Sequence, residues 1–237
     1  MPDTIIKGST IKGGTIGPSL TTSGLVLHLD AGNPSSYPGT GTTWTDLSGN
    51  GNNGTLVNGP AYSSANGGNI VFDGSNDYIS FSGFTINTNT GFTFDIWIDT
   101  QSPQVSTTGW GYFYGPAFTV EIGSYAVSGG IVGSFIFKDN SATPISETSF
   151  PIDPGTFYNA TVGCSSTTPF VYKNGYFYGT SSNFVNRNLL VSNLMRNQST
   201  GTYNYKARLA IVRIYNRALS SSEILQNFLV NRDRFGL

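Results

Sequence analysis

The chain has 237 residues, with 12 Lys and Arg against 13 Asp and Glu for a formal net charge of −1, and only 11% of it is charged, well under the roughly 25% of an average globular protein. No basic cluster is dense enough to neutralise a run of phosphates, and no apolar run approaches the roughly 18 residues of a spanning helix, so nucleic acid and membranes are not expected as partners. The single cysteine, Cys164, excludes an intrachain disulfide and a multi-cysteine metal site, while 30 glycines among abundant Ser, Thr and Asn describe a turn-rich β protein.

Residues 1–23 stand apart. Ile6-Lys7-Gly8-Ser9-Thr10, Ile11-Lys12-Gly13-Gly14-Thr15 and Ile16-Gly17 form an imperfect five-residue repeat too rich in glycine to build a core. Such an arm either hangs free as an unheld terminus or is held by strand addition, with Ile6, Ile11 and Ile16 as its apolar positions, against its own sheet or a neighbour's. It lacks the continuous apolar core of a secretory signal. Residues 24–237 are predicted to form one domain, a length that all-β units reach routinely.

Gly24–Asp30 reads as the first core strand, with His28 packed or at an edge, and Ala31–Gly39 is a loop by every breaker signal. In Trp44–Leu56, three glycines alternate with asparagines, which demands several positive-φ residues in succession and predicts a structured turn. Ile70–Phe72 and Tyr78–Phe81 are β-branched or aromatic and flank Asp73-Gly74-Ser75-Asn76-Asp77, a β-hairpin pattern.

Phe92, Phe94, Ile96 and Ile98 alternate with Thr93, Asp95, Trp97 and Asp99, the period of a strand with one buried face. Trp97 is then either a ligand platform or covered by a loop or the second sheet. Residues 100–115 are expected to be a loop; if extended, it puts Trp110, Tyr112 and Tyr114 on one side as a candidate sugar platform, with core packing of the cluster as the other reading. Strands are expected at Phe118–Ile122, Ile131–Phe137, Thr156–Val162 and Phe170–Tyr178, and Cys164 as a small buried residue rather than a nucleophile. The Asn174-Gly175 pair predicts a type I′ hairpin setting Tyr172 opposite Phe177 and Val171 opposite Tyr178. After a last strand, Ala207–Tyr215, Ser220 and Glu223 form a capping box for a helix over about 221–230, whose stripe of Ile224, Leu225, Phe228 and Leu229 should dock on the sheets.

Four segments, in order, resemble the laminin G-like (concanavalin A-like) superfamily: Asp46-Leu47-Ser48-Gly49-Asn50-Gly51-Asn52-Asn53-Gly54-Thr55, Phe72-Asp73-Gly74 through Asp77-Tyr78, Val171-Tyr172-Lys173-Asn174-Gly175, and Val212-Arg213-Ile214-Tyr215-Asn216-Arg217-Ala218-Leu219. The resemblance implies an all-β, two-sheet antiparallel jelly-roll sandwich with a short C-terminal helix, here behind an extended N-terminal arm. Relatives carry acids in the last strand that support a structural calcium; Ala210 and Ile211 occupy those positions, which disfavours that ion and leaves Asp30, Asp73 and Asp77 as the remaining contributors. No cofactor is expected. Glycanases of this fold need two carboxylates about 5–5.5 Å apart, and none of Glu121, Glu147 and Glu223 has a second carboxylate two or four residues away, so the chain is not expected to be an enzyme. The arm, the absent catalytic signature and the ending Asn231–Leu237 resemble virion proteins of tailed bacteriophages, which implies a structural subunit on the particle surface, bound to capsid or tail proteins or to copies of itself. The alternative is a carbohydrate-binding module or adhesin for host-surface glycans. Fold alone does not choose between them.

Overall fold

A computed structural model describes residues 18–101, 110–114, 120–127, 131–139, 146–196 and 205–237. Turn residues cut this chain into short strands, first β1 (Leu25–Asp30), β2 (Thr43–Trp44), β3 (Gly54–Val57), β4 (Ala61–Ser63), β5 (Asn69–Asp73) and β6 (Tyr78–Asn87). There follow β7 (Phe92–Thr100), β8 (Trp110–Tyr114), β9 (Val120–Val127), β10 (Ile131–Asp139) and β11 (Ser146–Pro151). Then come β12 (Tyr158–Ser165), β13 (Thr168–Lys173), β14 (Tyr176–Thr180), β15 (Asn188–Leu194) and β16 (Lys206–Tyr215), before helix α1 (Ser221–Asn231) and a 3-10 turn at Arg232–Phe235.

One layer runs β14-β13-β12-β7-β16-β5-β4, with β1 also on β16. Facing it are two four-stranded sheets, β11-β10-β9-β8 and β15-β6-β3-β2. These two meet where the Met195 amide donates to the Phe113 carbonyl at 2.8 Å and the Tyr114 hydroxyl to the Leu190 carbonyl at 3.2 Å. The architecture is an all-β antiparallel sandwich of jelly-roll type with a short C-terminal helix, as the sequence indicates. Its core is aromatic: the Phe92 ring lies 5.5 Å from Phe184 and 6.0 Å from Phe137, and Phe94 lies 5.3 Å from Tyr114. Each such buried side chain contributes roughly 1.5–3 kcal/mol.

Three expectations are corrected. The Ile70–Phe81 stretch is not a hairpin: β5 pairs with β4 and β16, whereas β6 pairs with β3 and β15 in the opposite layer. The turn between them is an arch, closed by Asp77 accepting from the Asp73 amide and Asp73 from the Ser75 amide. Hairpin and arch ask for the same turn residues, and Ile70, Phe72, Ile79 and Phe81 enter one core from its two sides. Residues 110–114, expected in a loop, form an edge strand. In the β13–β14 hairpin Tyr172 does face Phe177, but Val171 faces Gly179, because a bulge at Tyr178 shifts the register.

The capping box forms as expected. The helix buries Ile224 and Phe228, with Leu225 and Leu229 packed beside them. Residues just before β1 lie along it: the Thr21 amide donates to Asn227 Oδ1 at 2.9 Å, and Tyr215 Oη donates to the Thr21 carbonyl at 3.0 Å. Ile6, Ile11 and Ile16 fall outside the described residues.

Candidate functional site

The outward face of β7 is the natural place to look for a ligand, because it carries Thr93, Asp95, Trp97 and Asp99 in alternation. It is closed. Trp97 is fully buried, its ring stacked 5.7 Å from Phe228 of α1 and 4.3 Å from Phe235 of the 3-10 turn. The cover is thus the C-terminal helix and turn, not a loop or the second sheet. Under α1, Arg213 donates to Asp95 at 3.1 Å, and Asp95 also accepts from Asn159 at 2.6 Å, Thr161 at 3.3 Å and Asn227 at 3.3 Å. Arg234 fastens the turn by donating to Asp30 at 2.6 Å and to the Asn66 carbonyl at 2.9 Å.

The sequence-based platform fares differently residue by residue. Tyr114 is fully buried against Phe94, with its hydroxyl bonded to the Leu190 carbonyl; burial pushes that hydroxyl's pKa up, and the side chain is a core residue closed to a sugar. Trp110 and Tyr112 lie on β8, and their side chains fall outside the described residues.

Among the described residues an open aromatic surface lies on β14, the edge strand of the larger sheet. Tyr176, Phe177 and Tyr178 are 68%, 58% and 49% exposed, respectively. Asn174 (φ 53°) and Gly175 (φ 77°) make the tight turn that projects them. Phe177 packs edge-on to Tyr172 at 5.3 Å, while Tyr176 stands opposite Lys173 on the other face. Beside Lys173 is a cleft of about 210 Å³ lined by Asp153, Thr156, Phe157, Tyr158, Lys173, Asn174 and Leu237. Lys173 Nζ donates to the Pro151 carbonyl at 2.8 Å and sits 5.9 Å above the Phe150 ring, which is itself 5.8 Å from Tyr178. Residues bearing carboxylate, hydroxyl, amide and ammonium groups thus line a cleft that reaches the exposed hairpin through Lys173, a mixture that suits a polyhydroxylated ligand with an apolar C–H face. The sequence shows these aromatics plainly but gives no sign that β14 is an edge, so they read there as cross-strand packing.

The titratable groups elsewhere serve the fold. Burial and then the nearby Arg213 charge lower His28 to about 4. Burial raises the Cys164 thiol to about 12, which leaves it unreactive. Glu223 is lowered to about 2, chiefly by its hydrogen bonds from Arg217, and it also closes the helix cap. Asp99 binds Arg208, and Asp139 binds Arg187 through both oxygens. Asp46, at the centre of the Ser-Gly-Asn-Gly loop, accepts from the amides of His28, Ser48 and Asn52 and so ties that loop to β1. These carboxylates hold the fold together and are not placed for acid–base chemistry. Among the described residues no group of three or more His, Cys, Asp or Glu could hold a metal, and no helix is long and apolar enough to cross a membrane.

The profile of the concanavalin A-like lectin/glucanases superfamily matches residues 73–225. The chain belongs to this superfamily. No curated protein matches it. The same fold occurs in domain 4 of AbnA, a GH43 extracellular arabinanase from Geobacillus stearothermophilus solved with arabinotriose, at 16% identity and a TM-score of 0.59, covering 86% of this chain and 97% of that one. The binding domain of Paraclostridial mosquitocidal protein 1 is similar at 16% identity and TM-score 0.60, covering 86% of this chain and 52% of that one. Trypanosoma rangeli sialidase is similar at 17% identity and TM-score 0.66, and this chain spans 99% of its own length but 37% of the sialidase. These structural likenesses show the fold alone. In this concanavalin A-like domain the broad sheet face is sealed by its own C-terminus, and the rim hairpin is left open.

Proposed function

We propose that the domain is a non-enzymatic carbohydrate-binding module that engages a glycan through the β14 hairpin, with Tyr176 and Tyr178 as stacking surfaces and Asp153, Thr156, Lys173 and Asn174 as hydrogen-bonding groups. The observation that carries this reading is the exposure of three successive aromatics on an edge strand, near a cleft lined in part by Lys173, the cross-strand neighbour of Tyr176. Support comes also from the similar domain solved with arabinotriose. The test is a glycan-array screen followed by calorimetry on the best oligosaccharide. Tyr176→Ala and Tyr178→Ala should each weaken binding about tenfold, the equivalent of about 1.4 kcal/mol, whereas Tyr62→Ala, on the opposite edge strand β4, should bind as the parent does. Equal affinity in all four proteins refutes the site.

A virion setting is compatible with this activity, since a glycan-binding jelly roll on a phage particle would serve host recognition. Its support is the likeness of the glycine-rich arm and of the Asn231–Leu237 ending to phage laminin G-like proteins. Binding of the purified chain to capsids or tails, lost on deletion of residues 1–23, supports that setting and the arm's part in it; no binding to either particle refutes it.

A further inference from the structure

The sequence contains five Asn-Gly pairs, at Asn50, Asn53, Asn58, Asn66 and Asn174. In this dipeptide the main-chain nitrogen of the glycine meets no side-chain obstruction when it attacks the asparagine amide carbon. Four of the five side chains are held. Asn50 Nδ2 donates to the Leu25 carbonyl at 3.1 Å, Asn53 Oδ1 accepts from the Asp46 amide at 2.9 Å, Asn58 Nδ2 donates to the Asn76 carbonyl at 2.8 Å, and Asn174 Oδ1 accepts from the Asn159 amide at 2.9 Å. The side chain of Asn66 is exposed and makes no hydrogen bond among the described residues. It sits in a three-residue 3-10 turn, Ala65–Gly67, with a left-handed backbone (φ 52°). Its carbonyl oxygen is one of the groups that hold Arg234, and the Gly68 carbonyl is another.

We propose that Asn66-Gly67 is the domain's principal site of spontaneous deamidation, and that conversion there acts on the clamp closing the C-terminal turn. The Gly67 nitrogen bonds to Cγ of Asn66, the bond from Cγ to the side-chain nitrogen breaks, and ammonia leaves with the proton from the Gly67 N–H. Water then opens the five-membered imide at either carbonyl and leaves aspartate or isoaspartate. No other reactant is needed. The isoaspartyl product inserts one methylene ahead of the new main-chain carbonyl of residue 66 and turns the carbonyl that Arg234 now grips into a free carboxylate off the main chain, so Arg234 cannot hold that group and the Gly68 carbonyl in their present geometry. Phe235, which Arg234 adjoins and which stacks on Trp97, is the element freed.

The native protein is incubated at mildly alkaline pH and digested with chymotrypsin. The peptide of residues 63–72, bounded by Tyr62 and Phe72, is then assayed for the amide-to-acid mass shift and for isoaspartyl methyl-transfer labelling. It should convert roughly two- to tenfold faster than peptides carrying the other four pairs, the factor expected when a side-chain hydrogen bond must first open. In the converted fraction, backbone amides of 232–237 should exchange faster with solvent, and Asn66→Gln, incubated alongside, should retain the slow exchange. Earlier conversion at another pair, or an unconverted 63–72 peptide, overturns the site. Unchanged exchange in the converted fraction overturns the link to the clamp.

Discussion

Replacing Arg213 by methionine separates the charge of the network under α1 from the bulk that fills it. Arg213 and Asp95 are each 1% exposed and meet at 3.1 Å. With the guanidinium gone, Asp95 keeps three neutral donors, Asn159, Thr161 and Asn227, but its charge is left buried without a counter-ion, and Asn231 loses its bond from Arg213. Removing one partner of a buried pair costs about 3–5 kcal/mol, against a total stability of roughly 5–15 kcal/mol for a domain. At this chain length that corresponds to a fall in Tm of roughly 6–20 °C. Urea unfolding followed by tryptophan fluorescence measures it. The double variant Asp95→Asn with Arg213→Met removes both charges and should recover most of the loss. Because Arg213 also holds the His28 pKa down, the single variant should raise that pKa, which an NMR titration reads. A single variant within about 1 kcal/mol of the parent, or a double variant no more stable than the single, would refute the account of Asp95 as a charge that needs this partner.

His28 makes a second, pH-dependent test. Its folded pKa of about 4 lies below the ordinary 6.5, so the unfolded chain binds the proton first: stability is complete above pH 6.5 and is lost as pH falls toward 4, by up to about 3 kcal/mol. His28→Gln should flatten that part of the pH-stability curve measured by urea unfolding. Glu223 acts lower, because with a folded pKa of about 2 against the usual 4.5 its contribution is present above pH 4.5 and vanishes as pH drops toward 2; Glu223→Gln should remove that dependence. Ser220→Ala deletes the helix cap and should cost about 1 kcal/mol, seen as a lower urea midpoint. Gly91→Ala should cost more than about 1 kcal/mol, since φ is +83° and the added methyl would lie 2.6 Å from the Cys164 carbonyl oxygen and 2.9 Å from the Ala218 amide nitrogen; an unchanged thermal midpoint would contradict that packing.

Features governed by near neighbours in sequence were legible in it. The alternation of Phe92, Phe94, Ile96 and Ile98 marks a strand because side chains of a pleated chain alternate faces. The Ser220 and Glu223 pair marks a helix start because both groups reach backbone donors within one turn. Asn174-Gly175 marks a hairpin because both residues tolerate positive φ. The superfamily motifs added the layered antiparallel architecture. What remained out of reach was partner choice. Whether Asp73–Asp77 folds back within one sheet or crosses to the other depends on β16 taking the backbone groups of β5, and β3 those of β6, that a hairpin would have paired with each other; neither strand is adjacent to the turn in sequence. Likewise Tyr114 and Tyr176 are the same residue type in similar aromatic runs. One is sealed into the core because it packs on Phe94 of the facing sheet, and the other stands in solvent because nothing pairs beyond β14 among the described strands. Exposure is a property of the assembled layers, and it is the layers that close Tyr114 into the core and leave the β14 rim open.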